Sequence, residues 1–138
     1  MSDTQRLIDN TLPFVQDLLM KYGEFYPLAS AVTIADSISQ VGTYDGNDNP
    51  QSDKVILDLK RALRAKQADY KSVAIFYDVS VIAPDTNQKI DAVAVFVESQ
   101  SDDFGCIIYY PYVWTENNKL QLTDNVWKER NAKEIFLS

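Results

Sequence analysis

The segment Ile90-Asp91-Ala92-Val93-Ala94-Val95-Phe96-Val97-Glu98 restricts the fold more than any other stretch of this chain. A half-buried strand alternates apolar and polar side chains, because successive residues point to opposite faces. Here the alternation fails, and both faces are apolar from Ala92 to Val97. A stretch like this belongs at the centre of a sheet. Val73 to Ala83, which alternates, and Phe104 to Trp114, long and aromatic, read as its neighbours. Turn residues at Pro84-Asp85-Thr86-Asn87 and from Ser99 to Asp103 join the three into a meander.

The remaining segments add helices and a hairpin. Residues 4–22 carry Leu7, Ile8, Val15, Leu18, Leu19 and Tyr22 at helical spacing, with Asp3 or Thr4 as N-cap and Lys21-Tyr22-Gly23 as the end. Pro13 interrupts this helix, which either kinks there or starts near Leu12. Phe25 to Ile34 and Ser37 to Tyr44 read as two strands around Ala35-Asp36, and a second helix starts at Ser52 or Asp53. On that helix Val55, Ile56, Leu59, Ala62 and Leu63 share one side, while Lys60, Arg61 and Arg64 lie mostly opposite. Glu116-Asn117-Asn118-Lys119 turns into a short Leu120-Gln121-Leu122 strand, and a helical turn is expected from Asp124 through Trp127. The expectation is a single α+β domain over residues 1–138, in the order α-β-β-α-β-β-β(-β). It has one antiparallel sheet of roughly five strands with the helices mainly on one face, as in profilin-like and roadblock-like topologies.

Composition removes most catalytic chemistry. The absence of histidine excludes Ser-His-Asp and Cys-His nucleophiles and His metal sites. The single cysteine, Cys106, excludes an intramolecular disulfide and multi-cysteine metal sites; it reads as structural and suits a reducing cytoplasm. No signal peptide or membrane span is read, so a soluble cytoplasmic protein is expected. A net charge of −7 argues against nucleic acid as a partner, although residues 52–71 carry a local basic excess that reads as a solvated helix face. Asp45-Gly46-Asn47-Asp48-Asn49 begins like a calcium loop but reaches Pro50 where glycine is needed and Ile56 where glutamate is needed, so it reads as a turn. No metal and no cofactor are expected.

Two groups of residues stand out as binding candidates. Tyr22, Glu24 and Tyr26 flank the junction between the first helix and first strand, and Glu24 is the most site-like carboxylate. Tyr110, Tyr112 and Trp114 alternate onto one strand face, which serves as core or as a partner surface. Pro111 cannot donate to a ladder, so that strand is an edge or is bulged; as an edge it suits pairing with a second copy of the chain. Asp78 and Asp91 fall within apolar strand patterns, where they face solvent or pair across the meander.

Gly23-Glu24-Phe25-Tyr26-Pro27-Leu28-Ala29 resembles a group of small bacterial proteins in which a helix is followed by a Gly-Glu-Phe-Tyr/Phe-Pro-Phe-Ala segment. Leu28 stands where such segments carry an aromatic residue. The resemblance continues in Tyr77-Asp78-Val79, Ile90-Asp91-Ala92-Val93 and Tyr110-Pro111-Tyr112. Proteins of this size and acidity are similar to immunity proteins, which bind and neutralise a toxin. The resemblance thus implies a non-enzymatic protein-binding module and no catalytic residue. The competing reading is a small-molecule binder or weak acid/base enzyme with a pocket at Glu24.

Overall fold

The central position expected for Ile90–Glu98 is where the computed structural model, which describes residues 2–41 and 52–137, places it. The elements are α1 (Asp3–Tyr22), β1 (Leu28–Thr33), β2 (Ile38–Val41), α2 (Ser52–Ala65), a 3-10 turn (Gln67–Asp69), β3 (Tyr70–Ile82), β4 (Lys89–Ser99), β5 (Gly105–Trp114), β6 (Leu120–Leu122) and β7 (Trp127–Asn131). The strands form one antiparallel sheet in the order β2-β1-β3-β4-β5-β6, with β7 also paired to β5. The class is α+β as expected, but the described residues form seven strands rather than about five. Among the described residues no helix is long and apolar enough to cross a membrane.

The additional strand is β7, which replaces the helical turn expected through Trp127. Trp127-Lys128-Glu129-Arg130-Asn131 has no apolar alternation to announce a strand. It is extended because it pairs with Gly105–Tyr109 and because Trp127 stacks on Tyr109, with ring centroids 4.9 Å apart. β6 and β7 are two halves of one arm along β5. Between the pairs Tyr112↔Leu122 and Tyr109↔Trp127, four residues (123–126) face two (110–111). The irregularity sits opposite Pro111, whose carbonyl accepts from Thr123 N–H at 2.9 Å. In an extended residue the N–H and C=O point to the same edge, so the donor Pro111 lacks is missing on this side. β5 is thus neither an edge nor itself bulged, correcting both alternatives: it keeps register with β4 from Cys106 to Pro111, and the extra residues fall in the arm opposite Pro111.

α1 runs unbroken through Pro13, with Ser2 rather than Asp3 or Thr4 as N-cap; the Ser2 hydroxyl accepts from Gln5 N–H at 3.1 Å. Pro13 and Asp9 lie on the exposed side, so the carbonyl that Pro13 deprives of a donor belongs to the solvent-facing part of the helix. Gln5 and Arg6 occupy the first turn, and Arg6 ties α1 to the β1–β2 turn by pairing with Asp36 at 2.8 Å. Lys71 reaches the same carboxylate at 2.9 Å, and these two cations hold Asp36 below the usual carboxylate range.

The helices cover opposite faces of the sheet, correcting the expectation that both lie mainly on one. α1 packs Leu7, Leu12, Val15 and Leu19 against Phe76, Val93 and Val95. α2 packs Leu59 and Leu63 against Val73, Ile75 and Phe96. Residues 75 and 76, and likewise 95 and 96, necessarily point to opposite sides. A central strand apolar on both sides requires this arrangement, since one covered face would leave the other in water. The buried hydroxyls are paired: Thr11 donates to Ser30 at 3.2 Å, and the Ser72 and Ser99 hydroxyls are 2.6 Å apart, whereas the Trp127 indole N–H is buried without a partner.

α2 is short, and the C-terminal segment completes the cover on its face with Ile135 and Phe136. Glu98 holds that segment in place. Its side chain is 1% exposed and accepts backbone N–H groups from Glu134, Ile135 and Phe136 at 2.7, 2.8 and 2.7 Å. A carboxylate so supplied with donors is stable without water. Gly105 leaves room for it, because a Cβ there would lie 3.4 Å from Glu98 Oε1 and 3.3 Å from the Val97 carbonyl. The basic side of α2, expected to be solvated, closes on the same segment: Lys60 pairs with Glu134 at 3.1 Å, and Arg64 donates to the Glu134 carbonyl at 2.8 Å. Glu98→Ala strands three donors, two of them buried, and is expected to cost roughly 3 kcal/mol or more of stability in urea unfolding. Glu98→Gln, which keeps one acceptor oxygen, should cost less, and both should speed amide exchange at 134–136.

Candidate binding cleft

The junction between α1 and β1 is set by Gly23. Its N–H closes α1 onto the Leu19 carbonyl at 2.8 Å, and its φ of 74° is the left-handed conformation that favours glycine. Nothing lies within 4 Å of where a Cβ would be, so conformation rather than space requires glycine here. The next four residues cross the end of α1 with alternating burial: Phe25 and Pro27 point in, Glu24 and Tyr26 point out. Between this crossing and the last turn of α1 lies a cleft of about 480 Å³, lined by Leu18, Tyr22, Glu24, Phe25, Tyr26, Pro27 and Leu28. Most of this lining is carbon. Tyr22 is 62% exposed and Tyr26 47%, so two aromatic rings and one carboxylate stand at an otherwise apolar hollow.

Next to the cleft the sheet carries an unusual polar group. Asp78 lies on the α1 side of β3, two residues beyond Phe76, and its register partner is Val93. Asp91 is two residues before Val93 on the same side of β4. From β5, the Tyr112 hydroxyl reaches across to donate to Asp78 Oδ1 at 2.7 Å. Burial pushes the Asp78 carboxyl above its ordinary value; the hydrogen bond from Tyr112 opposes this, and the charges of Asp91 and Glu24 add to it. Burial and the same carboxylate push the Tyr112 phenol far above the usual range. Glu24, Asp78, Asp91 and Tyr112 are therefore electrostatic neighbours brought together from four separate segments.

The six residues singled out from sequence divide between these features. Tyr22, Glu24 and Tyr26 line the cleft together. Tyr112 is 6% exposed and packs in the core under α1, whereas Trp114 is 42% exposed and meets it edge-on at 6.3 Å. Tyr110 is half-buried against the same core, and its phenol is raised by burial and by the charge of Asp9. The aromatic strand is thus core at Tyr112 and surface at Trp114. On its other face Tyr109 leans on Trp127, and burial pushes nearby Tyr77 up to about 12. Asp78, expected from its apolar strand pattern to face solvent or pair across the meander, is half-buried and takes its hydrogen bond across the meander from Tyr112, 34 residues away.

Cys106 is half-buried against the first core. The Asp45–Asn49 turn lies outside the described residues. Among the described residues no group of three His, Cys, Asp or Glu side chains is placed to hold a metal ion. Comparison with protein-family models, curated proteins and solved structures finds no match.

The raised Asp78 carboxyl has a consequence for stability. Between the ordinary carboxylate value of 3.8 and its higher folded value, the native state binds more protons than the unfolded chain, so this group's contribution falls as pH rises through that window. Asp78→Asn keeps an acceptor for Tyr112 and should flatten this part of the stability profile. Tyr112→Phe removes the hydrogen bond that opposes the shift, and should steepen it. Urea unfolding at a series of pH values reads both.

Proposed function

We propose that this chain is a non-enzymatic protein-binding module of the immunity-protein kind, acting in the cytoplasm, with the Tyr22–Glu24–Tyr26 cleft as its recognition site. The observation that carries the reading is the exposure of two tyrosines around an apolar hollow. Tyrosines placed this way are what partner recognition favours, because each buries a large surface at small entropic cost. The net charge of −7 supports a basic partner, since an acidic body speeds association with it and disfavours acidic competitors. Free Cys106 suits a reducing compartment.

A second reading, a small-molecule binder or weak acid/base enzyme, is favoured by the cleft itself. Its volume of about 480 Å³ is ample for a small ligand, and Glu24 with two tyrosines supplies polar groups around an apolar lining.

Purification from the native host at low salt separates these readings. The binding-module reading expects a stoichiometric protein partner, identified by mass spectrometry, that is lost from a Tyr22→Ala/Tyr26→Ala variant and weakened by added salt. Recovery of the wild-type protein alone, or as a dimer of itself, counts against it. A partner that binds the variant equally well also counts against the cleft as the recognition site.

A further inference from the structure

The cleft has a chemical preference that its shape alone does not express. Glu24 stands at its edge between Tyr22 and Tyr26, and Asp78 lies near enough for the Glu24 charge to act on it, with Asp91 alongside. Glu24 is thus the carboxylate that lines the cleft itself, and Asp78 and Asp91 add acidic groups on the sheet beside it. The chain's own Lys21 places its Nζ 5.2 Å from the Tyr22 ring centroid. The Tyr22 ring is thus presented in a way that already receives a positive charge. The floor, from Leu18, Phe25 and Pro27, is apolar and matches a hydrocarbon stem rather than a compact ion.

We propose that the cleft takes an arginine side chain of the protein partner, its aliphatic stem on the apolar floor and its guanidinium between the tyrosine rings and the Glu24 carboxylate. This rests on the cleft being the recognition site. Arginine fits better than lysine for three reasons: its planar group stacks on aromatic faces, it pairs with a carboxylate through two parallel hydrogen bonds, and it is less strongly hydrated. Lysine offers a point charge that keeps its water. A neutral side chain of the same shape would fill the hollow and leave Glu24 without a counter-charge.

The test uses the full chain, isotope-labelled, titrated with N-acetyl-arginine methylamide, and separately with the citrulline and lysine analogues, at matched ionic strength. The arginine analogue is expected to shift the backbone amides of residues 22–28 in a saturable way, with the citrulline analogue weaker by about fivefold or more. Glu24→Gln should remove that difference, and Tyr22→Ala should weaken the arginine analogue; the variants' own spectra report that they remain folded. Equal binding of the arginine and citrulline analogues, or shifts mapping away from 22–28, overturns the assignment. So does a lysine analogue that binds as well as arginine. If no analogue binds while partner capture still depends on Tyr22 and Tyr26, the arginine assignment fails and the binding-module reading stands. If the partner is captured independently of those tyrosines, the reading itself fails.

Discussion

Covering β4 on both sides is the condition that the rest of the molecule satisfies. Ala92, Val93, Ala94, Val95 and Phe96 are all essentially removed from water, and no single helix can shield side chains that point in opposite directions. α1, with twenty residues, is long enough to cover one face from β1 to β6. α2, with fourteen, is not, and the remainder of its face is closed by Ile135 and Phe136. The bent backbone of residues 134–136 on the sheet face carries successive N–H groups with no ladder to join. Glu98 resolves that difficulty by offering one carboxylate to three of them.

The same long strands create the site. β3 pairs with β1 only as far as Phe76↔Leu28, yet it runs on with β4 to Ile82. The α1 side of that overhang is where the apolar pattern gives way to Asp78 and Asp91. α1 stops at Gly23, and the crossing chain from Glu24 to Pro27 occupies the end of the helix and leaves the cleft open. Tyr112 links the two features, because its ring belongs to the core and its hydroxyl to Asp78.

Much of this organisation was legible in advance. The doubly apolar run marked the central strand, Gly23 marked the end of α1, and Leu120–Leu122 marked β6 with its observed bounds. Pro111 announced a bulge or an edge in its own strand; β5 is neither, and the missing donor is met by an irregularity in the arm that pairs with it. β7 was misread because its sequence is charged and carries no period; a strand whose reason is a neighbour's open ladder has no local signature. The sidedness of the helices was misread although the clue lay in β4 itself: a strand apolar on both faces asks for two covers. Glu98 read as the end of a strand, since nothing in its neighbours shows that donors arrive from residues 134–136.

The sequence by itself determined which segments are extended, which are helical, where the chain turns and which chemistries are excluded. These depend on local steric preference, period and residue inventory, all of which are properties of neighbours in the chain. It also marked Tyr22, Glu24 and Tyr26 as a group, because they are adjacent. Tertiary structure alone decided that Glu24, Asp78, Asp91 and Tyr112 share one end of the sheet, that Tyr112 is core while Trp114 is surface, and that the basic side of α2 closes on the chain's own C-terminal segment. Those outcomes depend on strand register and on which face each helix covers, where a shift of one residue would send every side chain to the other side.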